Sequence, residues 1–469
     1  MCALCAAIIS VPAFAQEKPP EPGPLRRFDF PKVQELTLSN GMRVLVAERH
    51  TLPIVSLRLI IDAGSLREPE DKTGVASLTG SLLREGTGAL TGEQIAERMG
   101  RLGAQYSTSG TYSFASMDLT TLSTAFGEAL ALAAPTVTAP SVPQREFDRV
   151  RAQAIAQYEQ SHASVEGIAQ DVFLQAVFQP SAPMARRPGG TKASLSGLTR
   201  DDVVSWHRSM YAPAAATALL VGDITVPEAR RLMERAFGAW KTRAPRLTTP
   251  VNAARPSNGT RVILVDRPGS VQSALRIGHT SLTATDPEYL PMVALNRVLG
   301  GGFNARVNMN LREKHGYTYG AFSNMDLRKA GSVYLISSSV RTDATDSALV
   351  EAIGEYKRIA SEVVPGDELS GATNNVVASF PSSVQSVQEL QARIQQLIIW
   401  DLPLDYWASY RERLAAVTPS DLQRAGRAHL VPDALTIVVV GDLSKIEQPV
   451  RARSLGAVEV WDADGHKVR

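Results

Sequence analysis

Asn40-Gly41-Met42-Arg43-Val44-Leu45, near the start of this chain, returns 218 residues later as Asn258-Gly259-Thr260-Arg261-Val262-Ile263. Two further markers return at an offset of 219: Leu198-Thr199-Arg200-Asp201-Asp202 as Val417-Thr418-Pro419-Ser420-Asp421, and Leu220-Val221-Gly222-Asp223-Ile224 as Val439-Val440-Gly441-Asp442-Leu443. Three markers in one order at one spacing argue for two copies of a domain of about 200 residues. A duplicated chain can enclose a chamber between its halves, so both copies bear on function together.

Outward from these markers, element types alternate. Arg43 to Ala47 and Val55 to Asp62 read as strands, with a turn at His50 to Pro53 between them. Gly74 to Arg84 and Thr91 to Leu102 read as helices, the second with Thr91 as N-cap and Gln94 three residues on. Phe114 to Leu122 is again a strand, Pro143 to Tyr158 a long charged helix, Thr199 to Met210 a helix and Thr217 to Val221 a buried strand. The second copy follows the same plan. Strands and helices mix without strict β-α-β alternation, which predicts an α+β fold. Two homologous domains stand in tandem, each a mainly antiparallel sheet covered by helices. Their expected bounds are 33–241 and 258–445, joined by a Pro-rich linker at 242–257 and followed by a tail at 446–469.

The 469 residues are 44% hydrophobic and carry a formal net charge of +2, enough for two large cores. No Lys/Arg run and no aromatic-basic interleaving points to nucleic acid. Arg26-Arg27 and Arg186-Arg187 are isolated pairs, read as plain surface. Ala3 to Val11 is a short apolar run, and Ala13-Phe14-Ala15 fits a signal-peptidase site, so 1–15 reads as a signal peptide and 16–32 as a Pro-rich tether. The run is too short to span a bilayer, which predicts a periplasmic or secreted chain with no stable membrane insertion. Both cysteines, Cys2 and Cys5, fall inside the leader, leaving the mature chain without a thiol. A lipid-modified Cys5 is the competing reading.

The Ser39-Asn40-Gly41 opening, the Gly74 to Thr87 helix, the Leu299-Gly300-Gly301-Gly302-Phe303 loop and the run Leu311 to Tyr319 (LREKHGYTY) together resemble the pitrilysin/insulinase-like zinc metallopeptidases, in the branch of mitochondrial processing peptidase. The resemblance covers roughly residues 33 to 445. It implies a chain that forms half of a clam-shell chamber.

Active members of that family carry an inverted His-x-x-Glu-His motif in the first of these helices. Positions i and i+4 let two imidazoles meet one Zn²⁺, and the carboxylate at i+3 acts on the metal-bound water. Here those positions are Ser77, Gly80 and Ser81, and the stretch corresponding to the third ligand centres on Ala154. None is a zinc ligand, so the chain is expected to bind no metal, and the small-residue stripe reads as close helix–sheet packing. The seven histidines, His50, His162, His207, His279, His315, His429 and His466, include no two that stand three to five residues apart.

The second copy keeps what the first has lost. The resemblance implies that an Arg and a Tyr seven positions apart hold the substrate, and Arg312 and Tyr319 stand at that spacing. A fixed cation and a phenol O–H can grip a peptide carbonyl and stabilise the oxyanion that forms on attack. The bland reading places Arg312 on a helix surface and Tyr319 in a core. Gly300, Gly301, Gly302 and Phe303 are implied as a flexible, substrate-binding loop facing the chamber; no Gly-Lys-Ser/Thr follows, so this is no phosphate loop, and a helix C-cap is the structural alternative.

These pieces predict a non-catalytic subunit of a heterodimeric peptidase. A homologous zinc-bearing partner would carry the metal, this chain would lend Arg312 and Tyr319, and a peptide would be the substrate. A non-proteolytic scaffold of the same fold and an autonomous metallopeptidase with an unfamiliar metal site are the alternatives.

Overall fold

Val44 and Val46 point to one face of their strand, Leu45 and Ala47 to the other, and all four are fully buried. A strand buried on both faces needs a layer on each side. The computed structural model, which describes residues 27–243, 254–255 and 258–469, shows where those layers come from. The expected leader, most of the tether and most of the linker lie outside the described residues, Cys2, Cys5 and Ala13-Phe14-Ala15 among them.

The first sheet contains β1 (Gln34–Thr37), β2 (Arg43–Glu48), β3 (Ile54–Ile61), β4 (Gln105–Gly110), β5 (Ala115–Leu122) and β6 (Ala216–Gly222), in the spatial order β1-β2-β6-β3-β5-β4. The second contains β7 (Arg261–Asp266), β8 (Gln272–Thr280), β9 (Thr318–Asp326), β10 (Val333–Arg341), β11 (Thr436–Gly441) and β12 (Ala457–Trp461), in the order β12-β7-β11-β8-β10-β9. The repeat holds at the level of register. Arg43 faces Thr217 across the parallel β2–β6 pair, and Arg261 faces Thr436 across the parallel β7–β11 pair. Most other neighbours are antiparallel.

The copies differ at one edge. β1 precedes β2 and pairs with it antiparallel, whereas β12 arrives from the C-terminus and pairs with β7 in parallel. The stretch read as a tail therefore completes the second sheet. Its strand and the Leu443–Ala452 helix are structural parts of the domain.

The repeated Thr-x-x-Asp marker is a capping box in both copies. Thr199 Oγ1 accepts from the Asp202 amide and Thr418 Oγ1 from the Asp421 amide, each at 3.2 Å. Thr91 and Gln94 form a third, as their spacing predicts. At the Gly222 marker φ is +134°, and a Cβ would sit 2.1 Å from the Ile54 carbonyl oxygen, so only glycine fits.

The halves exchange helices. The Val165–Val177 helix of the first half lies on β8 and β11 of the second sheet, where Ile168, Val172 and Phe173 join Ile263, Ala274, Val438 and Val440 in one core. The Val387–Ile399 helix of the second half lies on β3 and β6, where Leu390, Ile394 and Leu397 join Leu45, Ala47, Leu219 and Val221. Buried Gln391 secures this contact, accepting from Ser56 Oγ at 3.2 Å and donating to the Leu219 carbonyl at 3.3 Å. Each fully buried large side chain here is worth about 1.5–3 kcal/mol, so each half depends on the other for one layer of its sheet.

Candidate functional site

The Val75–Leu82 helix carries three of the four expected zinc positions. Its N-terminus is held by buried Glu68, whose carboxylate accepts from the Gly74 amide at 3.0 Å and the Ala76 amide at 2.7 Å. Desolvation outweighs these bonds and the nearby Arg186 charge, and pushes the Glu68 pKa from 4.5 up to about 7. A carboxyl raised on folding favours the native state most below its unfolded pKa. That stability, ~3 kcal/mol for a shift of this size, is lost as pH climbs towards 7. Glu68→Gln should therefore gain stability over the wild type as the pH goes from about 5 to about 8. Urea midpoints of both proteins at the two pH values measure this, and an unchanged difference between them would refute it.

One face of the helix presses on β4. A Cβ on Gly80 would lie 2.3 Å from the Gly110 nitrogen, and one on Gly110 would lie 2.4 Å from the Ala76 carbonyl oxygen. Two glycines thus let helix and strand backbones touch. The other face borders a cavity of about 320 Å³, lined by Ser77, Ser81 and Ala154 together with Glu85, Gln157 and Tyr158. Three of the four sequence-predicted positions thus meet in one cavity, while Gly80 is turned into β4.

This donor set does not fit zinc. Two hydroxyls and a methyl replace imidazole and carboxylate ligands. Glu85, the one carboxylate in the lining, is held by Arg149 at 2.5 Å. Among the described residues no three His, Cys, Asp or Glu side chains group as a metal site. Distant His279 and His429 do line one cavity. Yet His279 has both ring nitrogens engaged, with the Thr280 carbonyl and the Tyr356 hydroxyl, each at 2.6 Å. Burial drives its pKa down to about 4.

In the second half the structure brings two of the predicted residues, Phe303 and Arg312, into contact. Gly300 caps the Tyr289–Leu299 helix, donating to the Asn296 carbonyl at 3.0 Å and accepting from the Ser323 amide of β9 at 2.9 Å. A Cβ there would strike Ser323. Gly301 also donates to Asn296, at 2.7 Å, and Asn308 holds the Phe303 carbonyl at 2.7 Å. Gly300 and Gly301 serve close approach, whereas a Cβ on Gly302 would meet nothing nearer than the Arg297 guanidinium at 3.9 Å; none of the three lies at positive φ. The loop expected to be flexible is tied down along most of its length.

Phe303 stays half exposed, and the Arg312 guanidinium stacks on its ring, 4.3 Å from the centroid. Arg312 lies on a π-helical turn, Met309–Lys314, a conformation that recurs at functional sites. Tyr319, at the start of β9, is 89% exposed, which overturns the core reading for it. Met309 and Phe322 are exposed beside these in sequence. Large apolar groups clustered at a surface mark contact sites.

The first half matches the family described as Insulinase (Peptidase family M16) over residues 43–186, and the second matches the Peptidase M16 inactive domain over residues 197–376. The chain belongs to peptidase family M16. Two Helicobacter pylori proteins are similar to it. One is the zinc protease PqqE, 22% identical over 87% of this chain and 93% of that one; the other is the non-peptidase homologue YmxG, 20% identical over 86% and 92%. A solved peptidase M16 inactive domain from Pseudomonas fluorescens superposes with a TM-score of 0.82 at 26% identity, covering 87% of this chain and 98% of that one.

Within this M16 chain the sequence reading missed Glu85, Arg149, Gln157 and Tyr158 around the expected zinc positions. It also placed Arg186 and Arg187 on the surface. Both are partly buried: Arg186 donates to the Glu68 carbonyl at 3.0 Å, and Arg187 pairs with Asp171 and donates to Ser161 Oγ at 3.1 Å. The Pro188-Gly189-Gly190 turn that follows them was the available signal, because Gly190 packs against Gly74 at the mouth of the zinc-position helix.

Proposed function

We propose that this chain is the zinc-less subunit of a peptidase, lending Arg312 and Tyr319 to a homologous zinc-bearing partner. The observation that carries the reading is the asymmetry between the halves. The first half has Ser77, Gly80, Ser81 and Ala154 where zinc chemistry needs ligands, while the second presents Arg312, stacked on Phe303, and an exposed Tyr319. A pure scaffold needs neither a guanidinium held against an aromatic ring nor a solvent-facing phenol on the following strand. That Helicobacter pylori has both a zinc protease and a non-peptidase homologue like this chain supports a division of labour.

In this reading the peptide carbonyl lies between the Arg312 guanidinium and the Tyr319 hydroxyl. Both are donors, and both strengthen their hold as negative charge grows on that oxygen. The Phe303 ring limits the rotation of Arg312, so less ordering is left for the moment of reaction. The metal chemistry belongs to the partner. Placement in the periplasm or outside the cell is part of the same proposal and rests on the N-terminal sequence.

The purified chain should hold no stoichiometric zinc and cleave no peptide alone, and a zinc-bearing M16 chain should co-purify with it and cleave. Elemental analysis and pull-down followed by a peptidase assay test this. Stoichiometric zinc with chelator-sensitive activity would show an autonomous enzyme. A lone monomer with no partner would favour a scaffold.

A further inference from the structure

The side chain of Asn308 is fully buried and bridges two backbone segments. Its Nδ2 donates to the Phe303 carbonyl at 2.7 Å, and its Oδ1 accepts from the Ala321 amide at 3.0 Å. A carbonyl only accepts and an amide N–H only donates, so these partners fix which way round the carboxamide sits. Phe303 belongs to the glycine loop, and its ring carries the Arg312 guanidinium. Ala321 lies two residues after Tyr319 on β9. Asn308 itself stands one helical turn before Arg312, where the short Arg306–Asn308 helix runs into the π-helical turn. One side chain thus ties together the three segments that carry Phe303, Arg312 and Tyr319.

The position of β9 explains the need. It is the edge strand of its sheet, paired with β10 on one side. An edge amide that is buried must find its acceptor outside the ladder. The Ala321 amide finds Asn308, and the Ser323 amide finds the Gly300 carbonyl at 2.9 Å. Loop and turn stand where a further strand would pair. The neighbouring polar side chains point elsewhere. Asn310 Nδ2 donates to Glu351 at 2.9 Å and to Glu355 at 2.7 Å, and Arg306 holds Glu368 with bonds of 2.7 and 2.6 Å. Those bonds dock the turn on the Thr345–Ser361 and Gly366–Ser379 helices, behind the loop and the strand in sequence.

We propose that Asn308 is a positioning residue: it fixes the Phe303 loop and the Tyr319 strand against the turn that carries Arg312, and so sets how the two donors are presented to a peptide carbonyl. This rests on the reading of Arg312 and Tyr319 given above. Asn308 acts by holding backbones, and the donors it holds are the groups that meet the peptide. A carboxamide suits the task because it offers a donor and an acceptor at once on a short side chain. Leucine has nearly its shape and neither function.

The test compares Asn308→Leu and Asn308→Ser with the wild type, in the isolated full chain and in its complex. Both lose the bridge. The smaller hydroxyl leaves room for water, so Asn308→Ser remains readable where Asn308→Leu fails to fold. Hydrogen exchange of the isolated chain, read by mass spectrometry, should rise about tenfold or more over 299–305 and 317–323, and not over β7, β8 and β11. In the complex, below the unfolding transition, kcat should fall about 10²-fold, as expected of a displacement of about 1 Å, with KM changed far less. In a chain that already carries Arg312→Ala and Tyr319→Phe, Asn308→Leu should cost no further rate, because its effect passes through those two groups. A residue that only stabilises the fold would spread exchange over the whole sheet and lower the rate with the folded fraction in either background. Unchanged exchange in the two segments overturns the inference whatever the complex does. So does a wild-type kcat from Asn308 variants of a complex that Arg312→Ala and Tyr319→Phe do slow. If those two substitutions leave the rate untouched, the reading of Arg312 and Tyr319 fails instead, and exchange still decides whether Asn308 holds the segments.

Discussion

Tyr319→Phe should leave the chain folded and its complex assembled, yet lower kcat/KM about 10²–10³-fold, roughly 2.7–4 kcal/mol of transition-state stabilisation. Stability is untouched because the side chain is 89% exposed, and surface changes of this kind stay within about 0.5 kcal/mol. Activity falls because the phenol hydroxyl is the one group removed. Arg312→Ala should cost at least as much, since it removes a charge-assisted donor. Part of its effect comes from the lost stacking on Phe303, worth about 0.5–1 kcal/mol at an exposed site. Phe303→Ala separates the two contributions: it keeps the charge, frees its orientation, and should lower turnover by far less than Arg312→Ala. The measurement is steady-state kinetics of the reconstituted complex alongside thermal unfolding of each variant. Wild-type rates from correctly assembled Tyr319→Phe and Arg312→Ala complexes would make the pair ordinary structure in a chain that only scaffolds.

Much of the fold was legible because its signals are local. The Asn-Gly opening, the Thr-x-x-Asp capping boxes and the Gly-Asp after β6 each act within a few residues and recur in both copies. The Val165–Val177 helix left no such trace. Ile168, Ala169, Val172, Phe173, Leu174, Ala176 and Val177 are all buried, because the second sheet and its own half enclose it. A helix covered on most sides has no clean amphipathic stripe to read. β12 escaped notice for a related reason: Glu459 and Lys467 belong to an edge whose partner, β7, lies some 200 residues earlier, a pairing invisible to periodicity. The site divides in the same way. Arg312 and Tyr319 were found by spacing, but the stacking of Arg312 on Phe303 joins two segments that a linear reading treats separately.

Putting the zinc motif back should break the protein sooner than restore an enzyme. Gly80→Glu places a Cβ 2.3 Å from the Gly110 nitrogen and 2.4 Å from the Ser109 carbonyl carbon, backbone atoms of β4 that cannot rotate aside. Overpacking alone costs about 1–3 kcal/mol. A carboxylate forced against buried backbone adds several more. Against a total stability of about 5–15 kcal/mol, the sum should cut the urea midpoint severely or abolish soluble folding. Gly80→Ala should show the steric part alone. Ser77→His and Ser81→His should be tolerated far better, because both positions border the 320 Å³ cavity. Gly110 is the reciprocal half of the contact, its own Cβ path blocked by the Ala76 carbonyl at 2.4 Å. At the position that the family resemblance assigns to the catalytic carboxylate, helix and strand backbones are in contact and leave no room for a side chain. If Gly80→Glu unfolds at the wild-type urea midpoint, that contact is not real, and the three histidine and glutamate substitutions together should then be tried as a route to zinc binding.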